Sequence, residues 1–240
     1  MITLASCLEA RNLSKKYDES VVLDHVSLKA HASRITSIVG VNGAGKTTLL
    51  KILAGLEERN DGSILIDSNE TPVDVIRTRS TMIFQKSVMI SGTVFDNVAY
   101  GLRVNAVPSQ QIRGKVRYAL DAVNLANFEK RKARMLSSGE QQRVAIARAL
   151  VLEREIILID EPTANLDPAN TTIIEQAIKS AARSRILILS THNLPQAKRL
   201  SHQVIHLYKG SVIEDRDAED FFIRPRDEKT KLFIGGELQG

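Results

Sequence analysis

A glycine-rich turn stands between a short apolar run and a stretch with helical spacing. The apolar run covers residues 35–39 and the helical spacing covers residues 47–56. The turn matches the pattern G-x-x-x-x-G-K-[ST] in full, with Gly40, Val41, Asn42, Gly43, Ala44, Gly45, Lys46 and Thr47. This order predicts a buried strand, a loop that binds phosphate groups and a helix whose positive end faces the loop.

Two side chains of the turn have a predictable chemistry. Glycines let the backbone curl until its N–H groups point inward, and Lys46 is placed to neutralise the β- and γ-phosphate oxygens of a polyphosphate. Thr47 offers a hydroxyl to Mg²⁺, which prefers hard oxygen ligands. The alternative is a glycine-rich turn that only connects two elements, and the position of the turn between a buried strand and a helix argues against it.

A second apolar run ends in two adjacent carboxylates. Residues 156–159 are Ile-Ile-Leu-Ile, and Asp160 and Glu161 follow them. In a parallel sheet, ligands bind at the carboxyl ends of the strands. There Asp160 suits the shell of Mg²⁺, and Glu161 can polarise a water that attacks the γ-phosphate. Such a pair standing alone often marks only a helix N-terminus, but together with the phosphate loop the catalytic interpretation is favoured.

The order of elements predicts an α/β fold. Residues 4–37 have the pattern of antiparallel strands, and strands are predicted at 156–160 and 186–190 with a helix at 169–182 between them. Alternating strands and helices favour a mostly parallel sheet. Residues 94–153 lack comparable strands and predict an inserted helical subdomain, and Lys209-Gly210 predicts a hairpin turn.

Composition excludes several classes of protein. The chain has 240 residues, 43% hydrophobic and 25% charged, which suits one globular domain with an insertion. No apolar run approaches the ~20 residues of a membrane-spanning helix. Cys7 is the only cysteine, so an internal disulfide and a cysteine-cluster metal site are excluded. There is no room for a signal peptide before it, and we expect a cytosolic chain.

The segment 136–143, Leu-Ser-Ser-Gly-Glu-Gln-Gln-Arg, resembles the signature motif of the ABC ATPases. It stands after the helical insert and before Asp160, as in that family, and the resemblance covers essentially the entire chain. It implies a RecA-like P-loop NTPase core with a mostly parallel sheet, an N-terminal antiparallel β subdomain and an inserted α-helical subdomain. The implied division is 1–93 and 154–240 for the core and 94–153 for the insert with the signature motif.

The resemblance implies that the signature segment contacts ATP bound to a second subunit. The implied contacts are Ser137, Ser138, Gly139 and Glu140, of which Ser138 and Glu140 depart from the usual glycine and glutamine. A helix beginning at this point favours an anion at its N-terminus. A carboxylate at position 140 would repel a triphosphate that it faced, so we predict that the Glu140 side chain points away from the nucleotide.

Further site residues follow from the resemblance, position by position. Tyr17 is similar to the aromatic residue that stacks on adenine, although a buried strand tyrosine is the alternative. Gln85 resembles the glutamine that touches Mg²⁺ or the attacking water, Asp167 the aspartate of the dimer-interface loop, and His192 the histidine that contacts the γ-phosphate. The implied ATP-binding residues are Tyr17, Gly40, Val41, Asn42, Gly43, Ala44, Gly45, Lys46, Thr47 and Thr48. The implied Mg²⁺ residues are Thr47, Gln85 and Asp160, and the implied catalytic residues are Glu161, His192 and Gln85.

The same resemblance predicts the partners and the cargo. We expect a second copy of the chain, integral-membrane permease subunits and an extracytoplasmic substrate-binding protein, with the chain peripheral on the inner face of the membrane and no nucleic acid bound. Residues 86–100 are equally a candidate permease contact or core of the insert. Motif details resemble oxyanion importers, tungstate first, with phosphate and molybdate next. The rivals are a nucleic-acid-associated ABC ATPase, suggested by the net charge of +5 and the pI near 9.3, and a regulator that no longer hydrolyses ATP.

Overall fold

A computed structural model describes residues 5–238, which form two compact units. The first unit comprises the chain up to Met82, residues 155–161 and the chain from Ala182 onward. The second comprises residues 83–154 and 162–181. The predicted insert, 94–153, falls within the second unit, which also takes in residues on both sides of it. Leu4, where the first β region was predicted to begin, lies outside the described residues.

The strands make two sheets. They are β1 (Cys7–Tyr17), β2 (Ser20–His31), β3 (Ile35–Val39), β4 (Asp61–Ile66), β5 (Asn69–Glu70), β6 (Ser80–Ile83), β7 (Ile156–Asp160), β8 (Ile186–Thr191), β9 (Gln203–Tyr208) and β10 (Ser211–Asp217). The first sheet has the order β2-β1-β4-β5, and its pairs are antiparallel. The second has the order β10-β9-β3-β8-β7-β6.

The second sheet is the mostly parallel sheet that the sequence predicts. Strands β3, β7 and β8 are buried along their whole length, which explains why they are nearly continuous apolar runs. Strand β8 pairs in parallel with both β3 and β7, and β9 pairs in parallel with β3. The antiparallel hairpin of β9 and β10 around Lys209-Gly210 confirms the predicted turn. The predicted α/β fold class is thereby confirmed.

The helices follow the predicted order. They are α1 (Lys46–Leu53), α2 (Val73–Arg79), α3 (Val94–Val104), α4 (Ser109–Asp121), α5 (Ser138–Leu150), α6 (Pro168–Ala182), α7 (Leu194–Leu200), α8 (Ala218–Ile223) and α9 (Glu228–Gly235), with short 3-10 turns at Ala126–Phe128 and Ala133–Met135. In the second unit, α3 packs against α4 and α5. The side chains buried in the second unit include Val98 of α3, Leu120 of α4 and Val144 of α5. Within the described range 5–238, no helix is both long and apolar enough to cross a bilayer.

One region contains structure that the sequence analysis did not predict, and a second bears on two interpretations that it left open. Residues 61–83 form β4, β5, α2 and β6. Their pattern did not reveal these elements, because the strands are short and the buried positions are few. In the segment 86–100, Met89 and Val94 are buried whereas Val88 and Tyr100 are exposed. Core and surface positions therefore alternate in this segment. The buried positions agree with core of the insert, and the exposed positions remain accessible for a permease contact.

A buried histidine joins the C-terminal helices to the central sheet. The His206 ring is inaccessible to solvent, stacks on Phe233 at 4.5 Å between centroids and bonds Thr230 Oγ1 through Nδ1 at 2.9 Å. Its Nε2 has no hydrogen-bond partner within the described residues. Burial lowers the pKa of His206 from 6.5 to about 4, although the negative charges of Asp227 and Glu214 oppose the shift.

This burial predicts a pH dependence of stability. Below pH 6.5 the unfolded chain binds a proton at His206, whereas the folded chain binds one only at about pH 4 and below. The stabilisation is therefore complete above pH 6.5 and is lost on acidification. The free energy of unfolding should fall by up to about 3 kcal/mol across this window from this residue. In His206→Gln, the free energy of unfolding measured with urea should depend less steeply on pH between about pH 7 and 5 than in the wild type. The exposed-histidine control, His25→Gln, should keep the wild-type slope, and parallel slopes for His206→Gln and wild type would contradict the prediction.

Candidate functional site

The phosphate-type loop lies at the carboxyl end of β3, as predicted. Lys46, the first residue of α1, is buried, and its ammonium donates to the carbonyls of Gly40 at 2.8 Å and Val41 at 3.0 Å. Burial lowers the pKa of Lys46, and the negative charges of Glu161 and Asp160 oppose that shift. Among the described residues, no side chain caps the N-terminus of α1, so its first N–H groups remain suited to an anion.

Neighbouring backbone fixes the shape of this loop. A Cβ on Gly40 would stand 2.2 Å from the carbonyl oxygen of Leu207, and one on Gly45 would stand 2.8 Å from that of Val22. Gly45 also has φ +102°, a conformation that glycine adopts readily. The N–H of Gly210, in the turn of the β9–β10 hairpin, donates to the carbonyl of Ala44 at 3.1 Å. The glycines are therefore required by contacts from β2 and β9 as well as by backbone conformation.

Asp160 is held at the end of β7 by two hydroxyls. Thr47 Oγ1 donates to its Oδ2 at 2.8 Å, and Ser190 Oγ donates to its Oδ1 at 2.5 Å. Ser190 lies opposite Asp160 in the parallel pair β7–β8 and is fully buried. Its Oγ also accepts the N–H of Glu161 at 3.2 Å. Sequence analysis did not identify Ser190, because its role depends on the register between two strands.

Glu161 turns out of the strand toward His192. Its φ is +46°, a left-handed conformation that costs a non-glycine residue of the order of 1 kcal/mol and recurs at functional sites. The carboxylate Oε1 lies 2.8 Å from His192 Nδ1. Glu161 is buried, whereas the His192 side chain is half exposed. A buried carboxylate beside an accessible imidazole is suited to accepting a proton from a water molecule.

The oxygen atoms at this edge suit Mg²⁺. Thr47 and Asp160 present a hydroxyl and a carboxylate within hydrogen-bond distance of each other, and both are hard ligands. Across residues 5–238 there is no cluster of three or more His, Cys, Asp and Glu side chains that could hold a metal ion. One hydroxyl and one carboxylate fit an ion that takes few protein ligands and completes its shell with phosphate and water, which is how Mg²⁺ usually binds.

Tyr17 lies at the end of β1, opposite Ser20 of β2. Its side chain is 43% exposed, so it is not the buried strand tyrosine of the alternative interpretation. The Lys15 ammonium stands 4.7 Å from its ring centroid. The following residues of β2 include Val22, which contacts the phosphate-type loop at Gly45. An accessible aromatic ring on this hairpin suits stacking on a nucleobase.

In the second unit, Ser137 caps the helix α5. Its Oγ accepts the N–H of Glu140 at 3.3 Å, and the Glu140 carboxylate accepts the N–H of Ser137 at 2.8 Å. This is a capping box, and the bond from the Ser137 N–H is the main reason why the pKa of Glu140 is lowered. The Ser137 hydroxyl accepts a bond here, and its own side-chain hydrogen bond with the Glu140 carboxylate contributes to the same lowering of the pKa. The Glu140 carboxylate is thus engaged by its own helix, and its orientation relative to a partner's nucleotide stays a prediction.

Asp167 and Gln85 also belong to the second unit. Asp167 precedes α6, and its carboxylate accepts the backbone N–H of Asn170 at 2.9 Å as well as a bond from the Asn170 side chain. These bonds lower the pKa of Asp167. Gln85 follows β6 and is exposed. The first unit therefore brings together the loop at Lys46, Asp160, Glu161 and His192, and the second brings together the signature turn and the Asp167 loop.

These features define a P-loop nucleotide-binding protein with a carboxylate pair and a histidine at one sheet edge. The model of the ABC transporter family matches residues 23–164. A phosphate import ATP-binding protein, PstB 2, of Natronomonas pharaonis is 40% identical over 96% of this chain and 87% of that protein. A probable anion import ATP-binding protein of Haloferax volcanii is 37% identical over 96% of this chain and 87% of that protein.

Solved structures agree with this assignment. The structure of cbiO1 from Clostridium perfringens, part of the ABC transporter complex cbiONQ, superposes with a TM-score of 0.83 at 25% sequence identity and covers 95% of this chain and 94% of that chain. The chain belongs to the ABC transporter family and is an ABC-type transport ATPase.

Removing the Ser190 hydroxyl should weaken Mg²⁺ use. Ser190→Ala leaves Asp160 with one hydroxyl partner and the Glu161 N–H without its Ser190 Oγ contact, so we expect half-maximal ATP hydrolysis to need about tenfold more Mg²⁺. Ser37→Ala is the matched control, since Ser37 is an equally buried serine on β3 whose hydroxyl pairs with Ser201 instead. Titration of turnover with Mg²⁺ measures the effect. A midpoint in Ser190→Ala equal to that of Ser37→Ala would contradict the prediction.

Proposed function

We propose that this chain is the ATP-binding and ATP-hydrolysing subunit of an importer for a small oxyanion. The observation that carries the proposal is the cluster at the ends of β7 and β8. There Asp160 bonds Thr47 and Ser190, and Glu161 lies beside His192. A protein that only binds nucleotide has no need of a buried carboxylate aimed at an accessible histidine. The cluster therefore favours hydrolysis over the non-hydrolysing regulator.

Each candidate site residue of the first unit has a role in this proposal. Tyr17 stacks on adenine, and residues Gly40 to Thr48 bind the phosphates through the backbone and Lys46. Thr47 and Asp160 would hold Mg²⁺. When bound, Mg²⁺ neutralises charge on the β- and γ-phosphate oxygens. Glu161 accepts the proton of the attacking water, and His192 both orients Glu161 and contacts the γ-phosphate.

The second unit supplies contacts to a second copy of the chain. Ser137, Ser138, Gly139 and Glu140 form the first turn of a helix, and this turn is assigned to the γ-phosphate held by the partner. The helix N-terminus adds a favourable potential for that contact. Asp167 reaches the same interface. Two ATP molecules are then closed between two copies, and hydrolysis opens the pair.

The proposed cargo rests on the relatives rather than on the site. The two similar proteins are named for phosphate and for anion import, and they match this chain along nearly its whole length. Motif details of the sequence favour tungstate, and phosphate and molybdate share its tetrahedral oxyanion chemistry. The proposed partners are permease subunits and an extracytoplasmic substrate-binding protein. Val88 and Tyr100, which are 68% and 55% exposed, and Gln85 belong to the proposed permease contact on the cytoplasmic side.

Replacing the proposed base should separate binding from hydrolysis. Glu161→Gln removes the proton acceptor but keeps the shape, so turnover should fall by at least about a hundredfold. ATP should then hold two copies together, which size-exclusion chromatography with ATP and Mg²⁺ detects as a dimer. Glu219→Gln alters an exposed carboxylate of the same unit and should behave as wild type. A wild type inert to ATP would favour the regulatory rival, and turnover driven by DNA or RNA with steep salt dependence would favour the nucleic-acid rival.

The cargo is tested in cells. Deletion of the gene, followed by elemental analysis of cells grown in limiting tungstate, molybdate or phosphate, should show selective loss of one element. Complementation with Glu161→Gln should fail to restore it, whereas complementation with Glu219→Gln should succeed. Unchanged tungsten, molybdenum and phosphorus would overturn the oxyanion proposal and leave the ATPase assignment intact.

A further inference from the structure

Asn170 touches both segments of the second unit that are assigned to the dimer interface. It lies in the first turn of α6, three residues after Asp167, and is partly buried. Its backbone N–H donates to one carboxylate oxygen of Asp167 at 2.9 Å, and its side-chain amide donates to the other. Both oxygens of the Asp167 carboxylate are therefore held by one residue.

The other side of the same amide lies against the signature turn. A Cβ built on Gly139 would stand 2.6 Å from Asn170 Cγ and Nδ2 and 3.0 Å from Oδ1. Contacts below 3.0 Å are essentially absent from real Cβ atoms. Gly139 is buried in the first turn of α5, where its backbone has no positive φ. Within the second unit, the Asn170 amide occupies the space that a side chain at position 139 would need, so a Cβ there would have to displace this amide.

The short amide side chain of Asn170 makes both contacts. It lies against a residue without Cβ, and its Nδ2 donates to Asp167. Leucine has a similar volume and no donor, and aspartate would set a second carboxylate against Asp167. Alanine leaves both the carboxylate and the glycine without this contact. The bonds from Asn170 also favour the ionised form of Asp167.

We propose that Asn170 is a positioning residue that fixes the Asp167 loop and the signature turn at Gly139 in one arrangement, so that both engage the partner copy together. The inference rests on the proposed ATP-bound dimer. Asn170 itself touches neither nucleotide nor reacting atoms. Its contribution is to set the spacing of two segments that are 28 positions apart in the chain, from Gly139 to Asp167.

Dimer formation by the trapped protein tests the proposal. In the Glu161→Gln background, Asn170→Ala and Asn170→Leu should raise the dissociation constant of the ATP-bound dimer about tenfold, the effect of losing a charge-assisted hydrogen bond. The monomer should keep its affinity for a fluorescent ATP analogue and its thermal unfolding temperature. A merely structural role of Asn170 would lower the unfolding temperature instead. Gln176→Ala removes an exposed amide from the same helix and should dimerise as the parent.

A double-mutant cycle tests the contact itself. Gly139→Ala introduces the Cβ that meets Asn170, so adding Asn170→Ala should make room and give a tighter dimer than Gly139→Ala alone. Effects that simply add would overturn the proposal, as would Asn170 variants that dimerise like the parent. A Glu161→Gln parent that forms no dimer with ATP would instead overturn the proposed dimer mechanism and remove the basis of this inference with it.

Discussion

Parallel pairing of three apolar strands places the nucleotide-binding residues of the first unit. Val39 of β3 lies opposite Thr191 of β8, and Asp160 of β7 lies opposite Ser190. The strands consequently end at the same edge of the sheet, where the loop after β3, the carboxylates after β7 and His192 after β8 converge. A slip of one residue in β7 would turn Asp160 to the other face, away from Thr47. The buried branched side chains of these strands set the register and thereby the site.

The charges gathered at this edge need compensation, because an unpaired carboxylate in a buried position is strongly destabilising. Asp160 is compensated by two hydroxyls, and Glu161 by His192. The buried ammonium of Lys46 carries the opposite charge, and its own protons are taken by loop carbonyls. Ser190 serves both carboxylate residues, through the side chain of one and the backbone N–H of the other. A binding site for a highly charged ligand is thus built from groups that already satisfy one another.

Local patterns were sufficient to predict the parts of the fold with strong periodicity or punctuation. The apolar runs of β3, β7 and β8, the glycine pattern at residues 40–47 and the turn at Lys209-Gly210 all act over a few residues, and the structure contains each element. Residues 61–83 were missed because β5 and β6 have 2 and 4 residues, too few for a period to stand out. Ser190 and Asn170 were missed for a different reason. The partners of Ser190 are 29 and 30 positions away in sequence, and Asn170 lies 31 positions from Gly139, so these contacts exist only once the strands and helices have packed.

The division of the site residues between two compact units has a mechanical consequence. Glu161 ends a segment of the first unit, and the next residues, from Pro162 onward, belong to the second. The proposed base is therefore joined to Asp167 by only five intervening residues, one of which, Asn165, has a positive φ of 61°. A linker of this length keeps its two ends within about 20 Å of each other even when it is fully extended. In the proposed dimer, binding of Asp167 by the partner copy is therefore linked through a short backbone segment to Glu161, and the two bonds from Asn170 hold the Asp167 carboxylate at one end of that segment.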